Sequence, residues 1–128
     1  MPTPKLPIPT ESQEQTALFS WAGLQSNVYP ELALLFHIPN GGSRSKAEGG
    51  RFKAEGVKAG IPDICLPVGR GTYHGLFIEL KRIDGGKLSK NQELWISRLN
   101  AYGYFACICR GWEEAKDTII WYLKQEGK

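Results

Sequence analysis

Three charged residues lie inside two short apolar stretches, and their types and spacing are suited to metal-dependent chemistry. Asp63 opens the apolar run 64–66, and Glu79 and Lys81 lie within the apolar run 76–81. An ionised carboxylate in an apolar strand is costly unless a partner compensates its charge. If the two runs are neighbouring strands, Asp63 and Glu79 face each other, and such a pair requires a proton or a cation between the carboxylates. The pattern predicts a hard divalent cation held by oxygen ligands.

Lys81 follows Glu79 by two residues, so both side chains lie on the same face of a strand. A lysine at this place could orient or deprotonate a water molecule, or neutralise a developing negative charge. Each half alone also has a structural interpretation, because Pro-Asp is often a turn and Glu-x-Lys is often a solvated ion pair on a sheet edge. The two halves together favour an active site.

Capping residues, apolar periodicity and turn signals predict four helices and four strands. The helices are expected from a cap at Thr10 or Ser12 to about Ser26, and over 43–56, 90–101 and 112–124. The strands are expected over 34–38, 64–66, 76–81 and 104–109, and the last is expected to be buried on both faces because it is continuously apolar. The second and third strands are expected to form an antiparallel hairpin. This order predicts an α/β protein with a small mixed sheet flanked by helices.

Two of the predicted helices carry apolar positions that are expected to face the core. In the first helix these positions include Leu18, Trp21 and Leu24, and in the third helix they include Leu94 and Trp95. Their spacing is typical of an apolar stripe on a helix surface. The helices are therefore expected to cover the sheet.

The composition is that of an ordinary globular protein. The chain has 128 residues, of which 41% are hydrophobic and 23% charged, and we expect a proline-rich extended arm over 1–10 and a single domain over 11–128. No segment approaches the ~20 apolar residues that span a bilayer. Three cysteines, Cys65, Cys107 and Cys109, lie in apolar runs and are interpreted as buried thiols of a reducing cytoplasm.

Basic residues flank the charged strands. The net charge is only +3, but positive side chains concentrate in two groups. These are Arg44, Lys46, Arg51, Lys53 and Lys58 before the Asp63 strand and Lys81, Arg82, Lys87 and Lys90 from the end of the Glu79 strand onward. Such a distribution suits a polyanionic substrate, although solvated helix faces give a similar pattern. His37, beside apolar residues, is more typical of a core or rim histidine.

Longer motifs around these residues resemble a known family. Pro62-Asp63 followed by Glu79-x-Lys81 matches the PD-(D/E)xK nuclease signature, and the segments 40–44, 55–63 and 89–92 resemble the VRR-NUC branch of that superfamily. The resemblance covers roughly residues 11–124. It implies a restriction-endonuclease-like core and a nuclease. The Val-Arg-Arg element that gives the family its name is not present here, and Lys58 is the nearest basic residue.

The resemblance also implies roles for individual residues. Mg²⁺ or Mn²⁺ would be held by Asp63 and Glu79, helped by Glu14 of the first helix and the main-chain carbonyl of Leu80. Lys81 and Gln92 would assist the reaction. The turn containing Asn40 and Gly41 would lie near the active site, where its backbone could approach a phosphate.

The resemblance further implies DNA as the partner. Short stand-alone members are similar to Holliday-junction resolvases, which act as symmetric homodimers, so a branched DNA substrate and a homodimer are expected. The alternative is a non-catalytic nucleic-acid-binding module that retains the fold, although such a module has no need to keep three charges in apolar strands. A serine hydrolase is not supported, because no Gly-x-Ser-x-Gly motif occurs.

Overall fold

The computed structural model describes residues 6–39 and 46–126, with only the backbone of residues 46–48. The order of helices and strands is the predicted one, and the short helical turn that Pro30 predicts through Ala33 is a 3₁₀ helix. The elements are α1 (Glu11–Gln25), the 3₁₀ helix (Pro30–Leu34), β1 (Phe36–His37), α2 (Lys46–Ala54), β2 (Ile64–Leu66), β3 (Leu76–Lys81), α3 (Lys90–Ala101), β4 (Phe105–Arg110) and α4 (Trp112–Leu123). The mixed α/β fold expected from the sequence is confirmed.

The described strands form one four-stranded mixed sheet in the order β1-β2-β3-β4. Strands β1 and β2 pair antiparallel, as do β2 and β3, whereas β3 and β4 pair in parallel through the crossover helix α3. In the β2–β3 register Ile64 lies opposite Ile78. Extending that register by one residue brings Asp63 beside Glu79, as the alternation of the sequence predicts.

One face of the sheet carries the hydrophobic core. Leu76, Ile78 and Leu80 alternate along β3 and are buried with Leu18 of α1 and Ile119 of α4. Because side chains alternate between the faces of a strand, Phe77, Glu79 and Lys81 lie on the other face. The sheet therefore separates the apolar core from the charged residues.

Strand β4 differs from its prediction. The sequence predicts a strand buried on both faces, but β4 lies at an edge of the sheet and Ile108 is 36% exposed. A continuous apolar run therefore does not distinguish a strand that is buried on both faces from an edge strand beside an open groove. The first strand is also shorter than predicted, because Leu34 ends the 3₁₀ helix and only Phe36 and His37 pair with β2.

The burial and the bounds of the helices also differ in detail from the predictions. The sequence predicts Leu24 on the buried side of α1, but Leu24 is 78% exposed, and α3 has no buried residue. The described part of the second helix starts at Lys46 and ends at Ala54, inside the predicted range 43–56. Cys65 and Cys109 are buried free thiols, whereas Cys107 is only half-buried. None of the helices in the described ranges has the length and apolar character needed to cross a membrane.

Candidate active site

The loop before β2 places Asp63 against α3. Gly60 has a φ of +90°, and a Cβ there would lie 2.6 Å from the backbone carbon of Asn91 in α3. Only glycine allows this positive φ without strain together with so close an approach to a helix. Gly60 thus lets the Gly60–Asp63 segment pass tightly over the N-terminal turn of α3 before β2 begins.

Asp63 is fixed by backbone contacts. Its carboxylate oxygen Oδ1 accepts the N–H of Leu80 at 2.9 Å. Its main-chain carbonyl accepts the N–H of Ile38 at 2.6 Å and lies 2.9 Å from His37 Nδ1. Burial raises the pKa of the Asp63 carboxyl, and the Leu80 hydrogen bond opposes that increase. Asp63 is therefore held in one orientation with a second carboxylate oxygen left for another ligand.

Glu79 is a buried carboxylate whose charge is incompletely compensated. It is 4% exposed, and burial together with the nearby Asp63 carboxylate raises its pKa to about 7, with Lys81 acting in the opposite direction. Two carboxylates that oppose each other's ionisation are the condition under which a cation binds favourably. The pair can accept a proton or a metal.

Lys81 lies beside Glu79 on the same strand face, as its spacing predicts. Its side chain is almost fully buried, and Nζ lies 3.6 Å from Glu79 Oε2. The lysine side chain lines the same cavity as both carboxylates. The ammonium group is therefore placed to meet a negatively charged group that enters the cavity.

Gln92 couples the start of α3 to Glu79. Ser89 and Gln92 form a capping box, in which Gln92 Oε1 accepts the Ser89 N–H at 2.9 Å and Ser89 Oγ accepts the Gln92 N–H at 3.1 Å. With Oε1 used in the cap, Gln92 Nε2 donates to Glu79 Oε2 at 3.2 Å. The helix cap thus fixes the orientation of the Gln92 amide, which donates a hydrogen bond to Glu79.

These side chains open into a polar cavity of about 500 Å³. Asp63, Glu79, Lys81 and Gln92 line it, and the first turn of α1 contributes Glu11. The charge of Glu11 raises the pKa of both Asp63 and Glu79, although it is the smallest of the causes. Glu11 is thus a third carboxylate near the pair.

Glu14 contacts the start of α4. It is 3% exposed and does not line the cavity. Its Oε1 accepts the N–H of Trp112, the first residue of α4, at 3.2 Å. The N-cap residue of α4 is Gly111, which offers no side-chain cap. Glu14 therefore supplies the acceptor that this helix end lacks, whereas its second oxygen, Oε2, is buried without a hydrogen-bond partner among the described residues. The role of Glu14 as a metal ligand stays a prediction.

Leu80 contributes backbone only. Its side chain is buried in the core, and its N–H is donated to Asp63. Coordination of a cation by the Leu80 carbonyl stays a prediction. His37, treated as a rim residue in the sequence, lines the cavity. Because a carbonyl only accepts hydrogen bonds, the contact with Asp63 places a proton on His37 Nδ1.

The predicted nucleic-acid contacts are distributed unevenly. Asn40, Gly41 and Arg44 lie outside the described residues, and the side chain of Lys46 does as well. Arg51 is exposed on α2, where its Nε lies 3.9 Å from a Glu55 carboxylate oxygen.

Two of the remaining basic residues adjoin the site. Lys53 and Lys58 line a depression that shares Ala59 and Asn91 with the carboxylate cavity. Lys87 is exposed in the segment between β3 and α3. Lys53 and Lys58 are therefore the predicted contacts that the structure places beside the cavity.

The donor set fits a divalent cation, although no complete site is already formed. Among the described residues, no group of three or more His, Cys, Asp or Glu side chains is arranged to hold a metal ion. However, Asp63 and Glu79 offer the hard oxygen ligands that Mg²⁺ and Mn²⁺ prefer, and Mg²⁺ commonly uses only one or two carboxylates plus water and substrate phosphate. The raised pKa of Glu79 indicates that a cation would be favourable here.

The fold and the site together define a class of protein. A mixed sheet with an Asp immediately before one strand and Glu-x-Lys on its antiparallel neighbour, flanked by helices, is the arrangement of a restriction-endonuclease-like core. Residues 10–113 match the sequence profile of the VRR-NUC domain. The chain therefore belongs to the VRR-NUC domain family, which has a nuclease fold, and the resemblance seen in the sequence is confirmed.

A solved structure supports the same assignment. A chain described as a "VRR_NUC domain protein" superposes with a TM-score of 0.83 at 32% sequence identity, over 95% of this chain and 94% of that chain. No curated protein matches the sequence. The nuclease fold is thus established by similarity in both sequence and structure.

Proposed function

We propose that the protein is a metal-dependent DNA nuclease that hydrolyses phosphodiester bonds in the cavity between α1, β3 and α3. The observation that carries the proposal is the Asp63–Glu79 pair, with Lys81 Nζ 3.6 Å from Glu79 and Gln92 hydrogen-bonded to it at 3.2 Å. Two carboxylates placed together are unfavourable unless a proton or a cation lies between them. This pair opens into a cavity of about 500 Å³, which a cation and a substrate can enter.

Asp63 and Glu79 would hold Mg²⁺ or Mn²⁺. When bound, the cation supplies Lewis acidity toward a phosphate oxygen and favours ionisation of water. We assign the third carboxylate to Glu11 instead of Glu14, because Glu11 lines the cavity and Glu14 caps α4. Leu80 fixes Asp63 through its N–H, which keeps one carboxylate oxygen in place.

Lys81 acts on the charge of the substrate. Its ammonium lies in a mostly buried position beside Glu79, where electrostatic interactions are stronger than in bulk water. It stabilises the negative charge that grows on the phosphoryl oxygens in the transition state, or orients the attacking water. Gln92 keeps the Glu79 carboxylate oriented through the capping box of α3.

The finer substrate assignment follows the family resemblance. We propose a structure-selective endonuclease that cuts branched DNA as a symmetric homodimer in the cytoplasm of a bacterial cell or a phage-infected host. Two symmetric cuts need two active sites related by a two-fold axis. Light scattering coupled to gel filtration tests the dimer, and a monomer at working concentration would contradict it.

The experiment incubates the protein with labelled four-way junctions, flaps and linear duplexes in Mg²⁺ or Mn²⁺. EDTA and Lys81→Ala serve as controls. We expect cleavage that disappears in both controls, and paired symmetric nicks on the junction if the homodimer assignment is right. Binding without cleavage of any substrate in either metal would support the alternative, a non-catalytic nucleic-acid-binding module.

A further inference from the structure

Two surface depressions continue from the carboxylate cavity along α3. The first includes Lys53, Lys58 and Trp95 in its lining and shares Ala59 and Asn91 with the cavity. The second is lined by Lys58, Leu94, Trp95 and Arg98 and shares Lys58 and Trp95 with the first. We call the surface formed by Lys53, Lys58, Leu94, Trp95 and Arg98 the α3 groove. The shared residues make it continuous with the candidate active site.

The α3 groove combines positive charge with an aromatic ring. Its lining contains the cations Lys53, Lys58 and Arg98, and none of the described residues that line it is acidic. Trp95 is half-buried, and its indole N–H is donated to the Ala59 carbonyl at 3.1 Å. That hydrogen bond fixes the ring at the junction between the two depressions. The cations can follow a phosphate backbone while the ring offers a surface for stacking.

This combination distinguishes single-stranded from duplex nucleic acid. Bases in a duplex stack on one another, so an aromatic side chain on a protein surface can stack only with an unpaired base. A duplex would contact the groove through the cations alone, because its paired bases do not stack on the ring. An unpaired base can stack on Trp95 beside the exposed Leu94, whereas a paired base within a duplex cannot.

A second tryptophan lies in a groove of different charge. Trp121 of α4 lines a groove with Phe105 and Ile108, but the same groove includes Glu114 and Asp117. Two carboxylates repel a phosphate backbone. The α3 groove instead pairs its tryptophan with cations, which makes Trp121 a matched comparison.

We propose that the α3 groove binds a single-stranded segment of the substrate that adjoins the cleaved phosphate, with a base stacked on Trp95 and the backbone along Lys58 and Arg98. The preferred substrate then has an unpaired arm next to the cleavage point. This proposal rests on the proposed nuclease function for its connection to cleavage, although binding to the groove is measurable without cleavage.

The first test measures binding in EDTA by fluorescence anisotropy. A labelled oligo-dT and a blunt duplex of the same length are compared for the wild type, Trp95→Ala, Trp95→Phe and the control Trp121→Phe. We expect Trp95→Ala to weaken oligo-dT binding about tenfold, within the range for loss of base stacking, and duplex binding by less than about twofold. Trp95→Phe keeps a ring but loses the bond to Ala59, so it should restore most of the affinity.

The variants separate a stacking role from a structural role. If Trp95 acts only by holding Ala59, Trp95→Phe will bind as weakly as Trp95→Ala, and the proposal is overturned. Equal losses for oligo-dT and duplex overturn it too. Near-ultraviolet circular dichroism shows that each variant is folded, and Lys58→Ala gives a readout that leaves the tryptophan in place.

The salt dependence of oligo-dT binding tests the cations. Lys58→Ala and Arg98→Ala should each reduce the slope of log K against log[salt] by about 0.7, the value for one phosphate contact on a single strand. Lys124→Ala, an exposed lysine at the end of α4, should leave the slope unchanged. Unchanged slopes for Lys58→Ala and Arg98→Ala would contradict the proposal.

Cleavage separates this proposal from the proposed function. In Mn²⁺, the wild type should cut a duplex with an unpaired arm faster than the blunt duplex, and Trp95→Ala should remove that preference. A wild type that cleaves both substrates equally, with Trp95→Ala unchanged, overturns the groove and keeps the nuclease. A protein that binds oligo-dT through Trp95 but cleaves nothing supports the groove and overturns the nuclease.

Discussion

Two glutamates of this protein are almost equally buried, yet their surroundings differ. Glu14 is 3% exposed and Glu79 is 4% exposed. Through Oε1, Glu14 accepts the N–H of Trp112 at the start of α4, where the positive end of the helix favours its charge. Its Oε2 has no hydrogen-bond partner among the described residues. Glu79 has Lys81 and Gln92 on one side and the Asp63 carboxylate on the other.

The comparison shows that burial of a carboxylate does not by itself indicate an active site. Glu14 completes a structural need, because Gly111 has a φ of +86° and offers no side-chain cap to α4. Glu79 instead has a pKa raised to about 7 by burial and by Asp63. A carboxylate whose charge is incompletely compensated, beside a second carboxylate and a cavity, is the one suited to a cation and substrate.

The largest expected effect is on activity, when either carboxylate of the Asp63–Glu79 pair loses its charge. Glu79→Gln and Asp63→Asn should each lower the cleavage rate by more than about 10²-fold, beyond the 10- to 100-fold typical of outer-shell partners of a metal site, because each removes a charged ligand. Isothermal titration with Mn²⁺ should show a matching loss of affinity. Near-normal cleavage by Glu79→Gln would contradict the distinction between Glu79 as an active-site residue and Glu14 as a structural one.

The next prediction concerns which glutamate of α1 belongs to the site. Glu11→Gln should lower cleavage about 10²-fold while leaving the melting temperature unchanged, because Glu11 lies on the cavity surface. Glu14→Ala should keep most of the activity but reduce the free energy of unfolding by about 1–2 kcal/mol, the range for loss of a helix cap. Cleavage assays and urea unfolding measure both. Near-normal cleavage by Glu11→Gln together with lost cleavage by Glu14→Ala would instead indicate that Glu14 is the metal ligand.

The four acidic residues Asp63, Glu79, Glu11 and Glu14 show what the sequence could and could not predict. Asp63 and Glu79 could be brought together from sequence because a short hairpin and period-two alternation fix their register. Glu11 and Glu14 are three residues apart on one helix and lie on nearly the same face. Which of them meets the carboxylate pair depends on the rotation of α1 against α4, and that rotation is set by tertiary packing.

The α3 groove was not foreseen for a related physical reason. Trp95 has the spacing of a buried helix position, and the sequence predicts that it lies on the apolar side of the third helix. The structure leaves α3 without any buried residue. Whether an apolar stripe is covered depends on how many elements reach it, which periodicity alone does not show. The edge position of β4 was missed for the same reason.

The raised pKa of Glu79 predicts a pH-dependent stability in EDTA. Its folded-state pKa of about 7 lies above the ordinary 4.5, so the folded protein binds more protons than the unfolded chain between these values. The stability that this group contributes is complete below pH 4.5 and is lost as the pH rises through 7. Between pH 5 and pH 8, wild type should lose about 2 kcal/mol more than Glu79→Gln. Urea unfolding at both pH values measures the difference, and parallel losses would contradict the assignment.

The smallest expected effect tests how Glu79 is oriented. Gln92→Glu keeps the capping box, because glutamate serves at this position, but replaces the amide donor to Glu79 with a carboxylate. Ser89→Ala removes the hydroxyl of the cap and leaves the Gln92 amide in place. Gln92→Glu should lower cleavage about tenfold, the lower end expected for a residue that orients a ligand, whereas Ser89→Ala should reduce mainly the melting temperature.

The pair of variants distinguishes two ways in which α3 could act. If Ser89→Ala lowers cleavage as much as Gln92→Glu, the helix start matters as a whole and the individual contact to Glu79 does not. If only Gln92→Glu is affected, the amide donated at 3.2 Å orients the carboxylate. Glu79 then differs from Glu14 in a further respect. Main-chain N–H of a helix end holds Glu14, whereas a side chain fixed by a helix cap holds Glu79, and that side chain can be exchanged without loss of the fold.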